Sequence, residues 1–182
     1  MSGPCCSTFL KHLAILFLCA VVGSACVSSE SDPKVDNPQV MAAAVLELIT
    51  KHHTFGDGPP PFTEYLIKSS LDAHAGSPSG GRPYEIRRLT DEERSAIETV
   101  VAPFGPVRWI EDSADWLTAD LDPVIEGAVI IGVGEPTSDN DEALVPVSLL
   151  CGGLCGTWLT YRLAQTEQGW QVIAVEGPIA VS

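Results

Sequence analysis

The first apolar pattern inside the chain has helical spacing. Met41, Ala44, Val45, Leu48 and Ile49 recur at intervals of three and four, which lays one stripe against a core. Asn37 before Pro38 is a helix start: asparagine serves as N-cap, and proline takes the first helical position, where its missing N–H costs nothing. The helix is expected to run to about His53. His52 continues the stripe and His53 lies beside it, and both read as packing or helix C-terminal residues rather than ligands. The tract Thr54 to Phe62 breaks the helix. Glu64 to Leu71 reads as a strand, and the small, Gly- and Pro-rich stretch Ala73 to Pro83 as a mobile loop carrying His74, an ordinary surface histidine. Thr90 with Glu93 forms a capping box, strengthened by Asp91 and Glu92 in the first turn. This second helix runs to about Ala102, with Ala96, Ile97, Val100 and Val101 as its buried stripe and Pro103 as its stop.

From Pro106 the chain turns to strands: Val107 to Glu111, Ala128 to Val133, Ala143 to Leu150, Thr157 to Ala164, and Trp170 to Val175. The last four follow one another through short turns, which suits an antiparallel meander. The order is that of an α+β fold, two helices from the N-terminal half packed on a mainly antiparallel C-terminal sheet. Pro146 places the third of these strands at an edge or a bulge, because proline cannot donate to a ladder. Trp109, Trp158 and Trp170 are expected in the core between sheet and helices.

The start of the chain follows a different pattern. Lys11 and His12 precede ten apolar residues, Leu13 to Val22, and then the small residues Gly23, Ser24 and Ala25. This is the layout of a signal peptide over residues 1–25, too short to span a hydrocarbon core that needs about 20 residues. Small residues one and three before the cut place cleavage ahead of Cys26. The run GSAC also resembles the bacterial lipobox, with Gly23 where that pattern usually has Leu, and the resemblance implies lipidation of Cys26 and a lipid anchor in a membrane. Cleavage would leave Cys26, Cys151 and Cys155, an odd number, and acylation of Cys26 accounts for the leftover thiol. Residues 26–37, rich in Ser, Asp and Glu, read as a flexible spacer ahead of a single domain over 38–182. The expected location is extracytoplasmic and membrane-anchored; the alternative is a freely secreted protein.

Charge narrows the partners. Loss of residues 1–25 removes Lys11 and no acid, leaving 9 basic against 24 acidic residues and a net charge of −15. Such a surface repels phosphate backbones, so nucleic acid is not an expected partner. With 45% apolar residues the chain is nonetheless rich enough to bury a core.

Candidate chemistry centres on CGGLCG, Cys151 to Gly156. A hairpin with Gly152, Gly153 and Leu154 as its loop brings the cysteines opposite each other, at a separation suited to a disulfide. A thiol-redox role for Cys151 and Cys155 is the competing reading; three residues separate them, not the two of the thioredoxin motif, and no helix start follows to activate a thiol. Zinc would need two further ligands. Gly132-Val133-Gly134 lacks the glycine-bearing helix start of a dinucleotide motif and reads as a bulge and turn. Asp139, Asp141 and Glu142 could attract calcium but lack the framework of an EF-hand loop, and read as a solvated hairpin turn. No nucleophile-elbow, zincin or Walker motif occurs, and no cofactor is implied.

The C-terminal run ALVPVSLLCGGLCGTWLTYRL, with the terminal EGPIAVS, resembles the end of uncharacterised exported bacterial proteins in which a CGGLCG hairpin precedes a last strand. The resemblance covers Ala143 to Ser182 and implies no activity. The order of elements is similar to the NTF2-like cone, whose cavity hosts enzymes and binders alike. The expectation is a tethered, non-enzymatic domain binding a protein or small molecule, with an enzyme using an NTF2-like pocket as the alternative.

Overall fold

The computed structural model describes residues 37–80 and 86–182, all within a compact unit, Ser31–Ser182. The signal sequence, Cys26, the spacer up to residue 36 and the end of the loop at 81–85 lie outside the described residues. Helix α1 covers Pro38–Lys51, with the Asn37 side chain accepting from the Gln39 N–H at 3.0 Å. Its buried set is wider than the predicted stripe, adding Val40 and Ala42. α1 has neighbours on two sides, the sheet and helix α2 (Asp91–Val101). The α2 capping box forms as expected: Thr90 Oγ1 accepts from the Glu93 N–H at 3.2 Å, and the Glu93 carboxylate accepts from the Thr90 N–H at 2.7 Å. Arg87 locks that carboxylate from outside through two contacts of 2.7 Å.

Among the described residues seven strands form one open sheet: β1 (Glu64–Lys68), β2 (Val107–Ile110), β3 (Ala128–Val133), β4 (Thr137–Asp139), β5 (Glu142–Gly152), β6 (Cys155–Thr166) and β7 (Gly169–Val181). Their order is β2-β1-β3-β5-β6-β7, with β4 beside β5. From β3 onward every pairing is antiparallel, which gives the α+β meander, whereas β1 lies parallel to both β2 and β3. The parallel pairs follow from the long connections, α2 between β1 and β2 and a loop with a short 3-10 helix (Ser113–Trp116) between β2 and β3.

Alternation along the strands divides two cores. Tyr65, Ile67, Val129, Ile131, Leu159, Tyr161 and Leu163 face the helices, and the side of the sheet under α1 is filled. On the opposite face Leu66, Ile110, Ala128 and Ile130 are covered by Trp116, Leu117 and Ile125.

Several expectations need correcting. Pro146 lies in a central strand, not at an edge. Pairing with β3 stops at Val133↔Val147 and pairing with β4 begins at Leu144, so Pro146 stands at the gap, where its carbonyl accepts from the Gly134 N–H at 2.8 Å. Trp109 and Trp170 pack against the core, but Trp158 does not: it is half-buried, on the side of β6 opposite Leu159 and Tyr161, folded over Gly156. Trp158 and Leu159 necessarily face opposite ways, and the aliphatic one faces the helices. The loop after β1 is docked in its described part, with Ala75 buried and the Gly76 N–H donating to the Val147 carbonyl at 3.0 Å. Gly132 is neither bulge nor turn. It sits in regular β3 pairing where the Asp72 carboxylate crosses the sheet, in the space a side chain would fill.

Candidate functional site

The hairpin joining β5 to β6 is tighter than the sequence suggested. Gly152 pairs with Cys155 across a two-residue turn of Gly153 and Leu154, and the register shifts between Leu150 and Gly152. Cys151 is the extra residue at that shift, so the cysteines meet diagonally rather than as direct partners. They stand at disulfide distance, with Cα atoms 5.0 Å apart.

Each small residue of this string is occupied by a neighbour. A Cβ on Gly152 would lie 2.7 Å from the Asp122 carboxylate, and one on Gly153 would lie 2.5 Å from the Asp120 carbonyl. The Gly153 N–H donates to Asp122 Oδ1 at 3.4 Å. Gly156 gives up its side-chain space to the Trp158 ring and exchanges backbone hydrogen bonds with Ser182. Leu154 alone has no such engagement, and it is 92% exposed.

Two loops and the end of β7 bring further apolar side chains to the same end of the sheet. Phe55 and Val181, 57% and 69% exposed, line with Leu154 an open groove of about 510 Å³. Leu121, 53% exposed, has its Cβ 3.7 Å from the side-chain position of Gly153. The backbone presenting this group is strained: Thr54 has φ +70° and Leu121 φ +64°, in the left-handed region that favours glycine. Such residues cost on the order of 1–3 kcal/mol each and persist where the surroundings impose them. The Leu121 turn is closed by the Thr118 N–H to the Asp122 carbonyl at 2.8 Å.

His53 explains the placing of Phe55. It is buried, its Nδ1 accepts from the Phe55 N–H at 3.3 Å, and its Nε2 therefore donates to the Gly58 carbonyl at 3.2 Å. The imidazole stacks on Phe55 and meets Phe62 edge-on. His52 is the C-cap of α1, with Nδ1 2.7 Å from the Tyr161 hydroxyl; burial first, and then the Glu47 carboxylate, push that phenol up. Both histidines thus serve packing and helix-end roles, and His74 is exposed.

The remaining sequence candidates lie elsewhere. Asp139 and Glu142 converge on Arg162, at 2.7 and 2.6 Å, and Glu176 joins them at 3.0 Å, while Asp141 is exposed at the turn. The three carboxylates push the Arg162 guanidinium up, and the cation already occupies the centre of the acidic group. Among the described residues no set of three or more His, Cys, Asp or Glu is arranged to hold a metal ion. Near Gly132, Asp72 accepts from Ser148 Oγ at 3.0 Å and from the His74 N–H at 3.1 Å, and pairs with Lys68 at 3.1 Å. This buried knot pins the loop to the sheet. Around Cys155 Sγ the polar side-chain contact is the Thr54 hydroxyl at 3.6 Å, a group with no positive charge to stabilise a thiolate.

What sequence reading missed is the convergence of Phe55, Leu121 and Val181 on Leu154, since nothing in their spacing marks it. The available signal was an apolar residue among small ones inside CGGLCG. No helix among the described residues is long and apolar enough to cross a membrane. A comparison with protein-family models finds none that matches this chain, and a comparison with curated proteins finds no match.

Proposed function

We propose that this chain is an exported protein tethered to a membrane through acylated Cys26, and that its α+β domain binds a partner at the disulfide-braced apolar tip. The observation that carries the binding reading is Leu154, 92% exposed at the end of a hairpin whose other residues are all engaged in holding its shape. A large apolar side chain standing in water on a braced turn, with Phe55, Leu121 and Val181 exposed at the same end, marks an interaction site more often than a fold requirement. The filled helix-facing side of the sheet supports binding at a surface over chemistry in an NTF2-like cavity. The signal-like start and the C-terminal resemblance to exported bacterial proteins support the location. α1 rises about 21 Å over its 14 residues, and the tip lies at its C-terminal end, opposite the end that the spacer joins.

Two measurements test the proposal. Intact mass of the membrane-associated protein is expected to show cleavage before Cys26 plus acyl chains, and Cys26→Ala to release the protein; equal membrane retention of that variant would refute the tether. A photo-crosslinking residue at position 121, in the native compartment, is expected to give a discrete adduct that Leu154→Ser abolishes while the denaturation free energy stays within about 0.5 kcal/mol. An adduct pattern indifferent to Leu154→Ser would refute the tip as the binding site.

A further inference from the structure

We infer that the occupant of the tip is a cationic, apolar polypeptide segment, one that places an apolar side chain in the groove beside Leu154 and carries Lys or Arg on either side of it. The inference rests on the tip being a docking surface and assigns the chemistry of what docks. The segments that build the tip, residues 52–58, 118–124, 151–156 and 179–182, contain Asp57, Asp120 and Asp122 and neither Lys nor Arg. The three carboxylates are exposed. Asp120 and Asp122 flank Leu121 directly, and Asp57 shares the loop of Phe55. Lys51, the last residue of α1, is the nearest base in sequence.

An apolar centre with a charged rim is the usual anatomy of a protein contact, and a rim of one sign selects partners of the other. Here the rim and the whole domain share a sign, so attraction extends beyond contact, over about 8 Å at physiological ionic strength. The same field opposes an anionic bilayer, whose surface draws basic segments and repels acidic ones. A polypeptide fits better than a small cation, because the four apolar side chains ask for apolar contact as well as charge. Geometry supplies preorganisation: the disulfide, the two left-handed residues and the His53 hydrogen bonds fix the tip before any partner arrives, which cuts the ordering cost of binding.

The test uses the full-length protein with Cys26→Ser, so that no acyl chain confounds the lipid arm, and with the disulfide intact. Two labelled peptides of equal apolar content, Leu with Lys and Leu with Glu, are titrated by fluorescence anisotropy, and phosphatidylglycerol vesicles by co-sedimentation. The Lys peptide is expected to bind, to weaken at least tenfold between 50 and 500 mM salt, to weaken several-fold on joint Asp57→Asn, Asp120→Asn and Asp122→Asn substitution, and to be lost on Leu154→Ser. The Glu peptide and the vesicles are expected not to bind. Equal binding of both peptides, each dependent on Leu154, would overturn the cationic assignment and leave the docking tip standing. Leu154-dependent vesicle binding would replace the polypeptide with a bilayer. Failure of the Lys peptide to bind, or binding indifferent to Leu154→Ser, would overturn the inference, and in the second case the tip reading with it.

Discussion

Two buried tyrosines on the helix-facing side of the sheet show how one hydroxyl can differ in worth. Tyr161 has a partner in His52, at 2.7 Å, and Tyr161→Phe is expected to cost about 1 kcal/mol in urea denaturation. The hydroxyl of Tyr65 is buried and meets no hydrogen-bond partner among the described residues, and desolvation pushes its phenol up to about 12. The fold thus prefers the neutral form. The stability linked to that preference is complete below the unfolded value of about 10 and is lost as pH rises through about 12. Tyr65→Phe is expected to match or exceed the wild type at pH 8 and to lose less stability between pH 8 and pH 11; an unchanged slope would show that Tyr65 is solvated. At Gly132 the sign is opposite. A methyl group there meets Asp72 and Ser148, and Gly132→Ala is expected to destabilise by about 1–3 kcal/mol by overpacking, read from the denaturation midpoint.

Among the elements, both helices begin on side-chain caps that were legible as short motifs. Asn37→Ala and Thr90→Ala are each expected to cost about 1 kcal/mol, with Thr90 the larger because its capping box also seats the Glu93 carboxylate held by Arg87. Equal, unchanged midpoints would contradict the observed caps. The hairpin behaves differently. Its ring closes over five residues, and loop-closure entropy gives roughly 3 kcal/mol only for a loop of about 15, so reduction is expected to leave the global midpoint nearly unchanged. The effect belongs to the tip, where amide exchange at Gly153 and Leu154 is expected to rise sharply on reduction while β5 and β6 stay protected. The edge strand β7 carries its own protection: its register shifts around Gly177 and Pro178, which interrupts the edge that another chain could pair with.

For the molecule as a whole, charge and layering set what it can meet. The excess of acid over base, 24 to 9 beyond residue 25, predicts no measurable DNA affinity at physiological salt; a micromolar, salt-sensitive affinity would overturn the argument. The described domain buries one face of its sheet under two helices and part of the other under the Trp116 loop, and the tip gathers Phe55, Leu121, Leu154 and Val181 in water at one end.

The sequence alone determined what local physics decides. The N-caps at Asn37 and Thr90, the stripe from Met41 to Ile49, the run of antiparallel strands and the closeness of Cys151 and Cys155 all follow from residues within a few positions of one another. Tertiary structure decided the rest, because it depends on groups far apart in the chain. The parallel placing of β1 between β2 and β3, the second core beneath Trp116, and the crossing of Asp72 over Gly132 each join segments that no spacing relates. Trp158 shows the limit most plainly: its size suggested the core, but its register beside Leu159 turned it away. The tip is the same case. Thr54, Leu121 and Leu154 are separated by more than thirty residues at each step, and the packing of Gly152 and Gly153 against the Asp120–Asp122 turn, of Thr54 against Cys155 and of Gly156 against Ser182 brings the apolar side chains to one place.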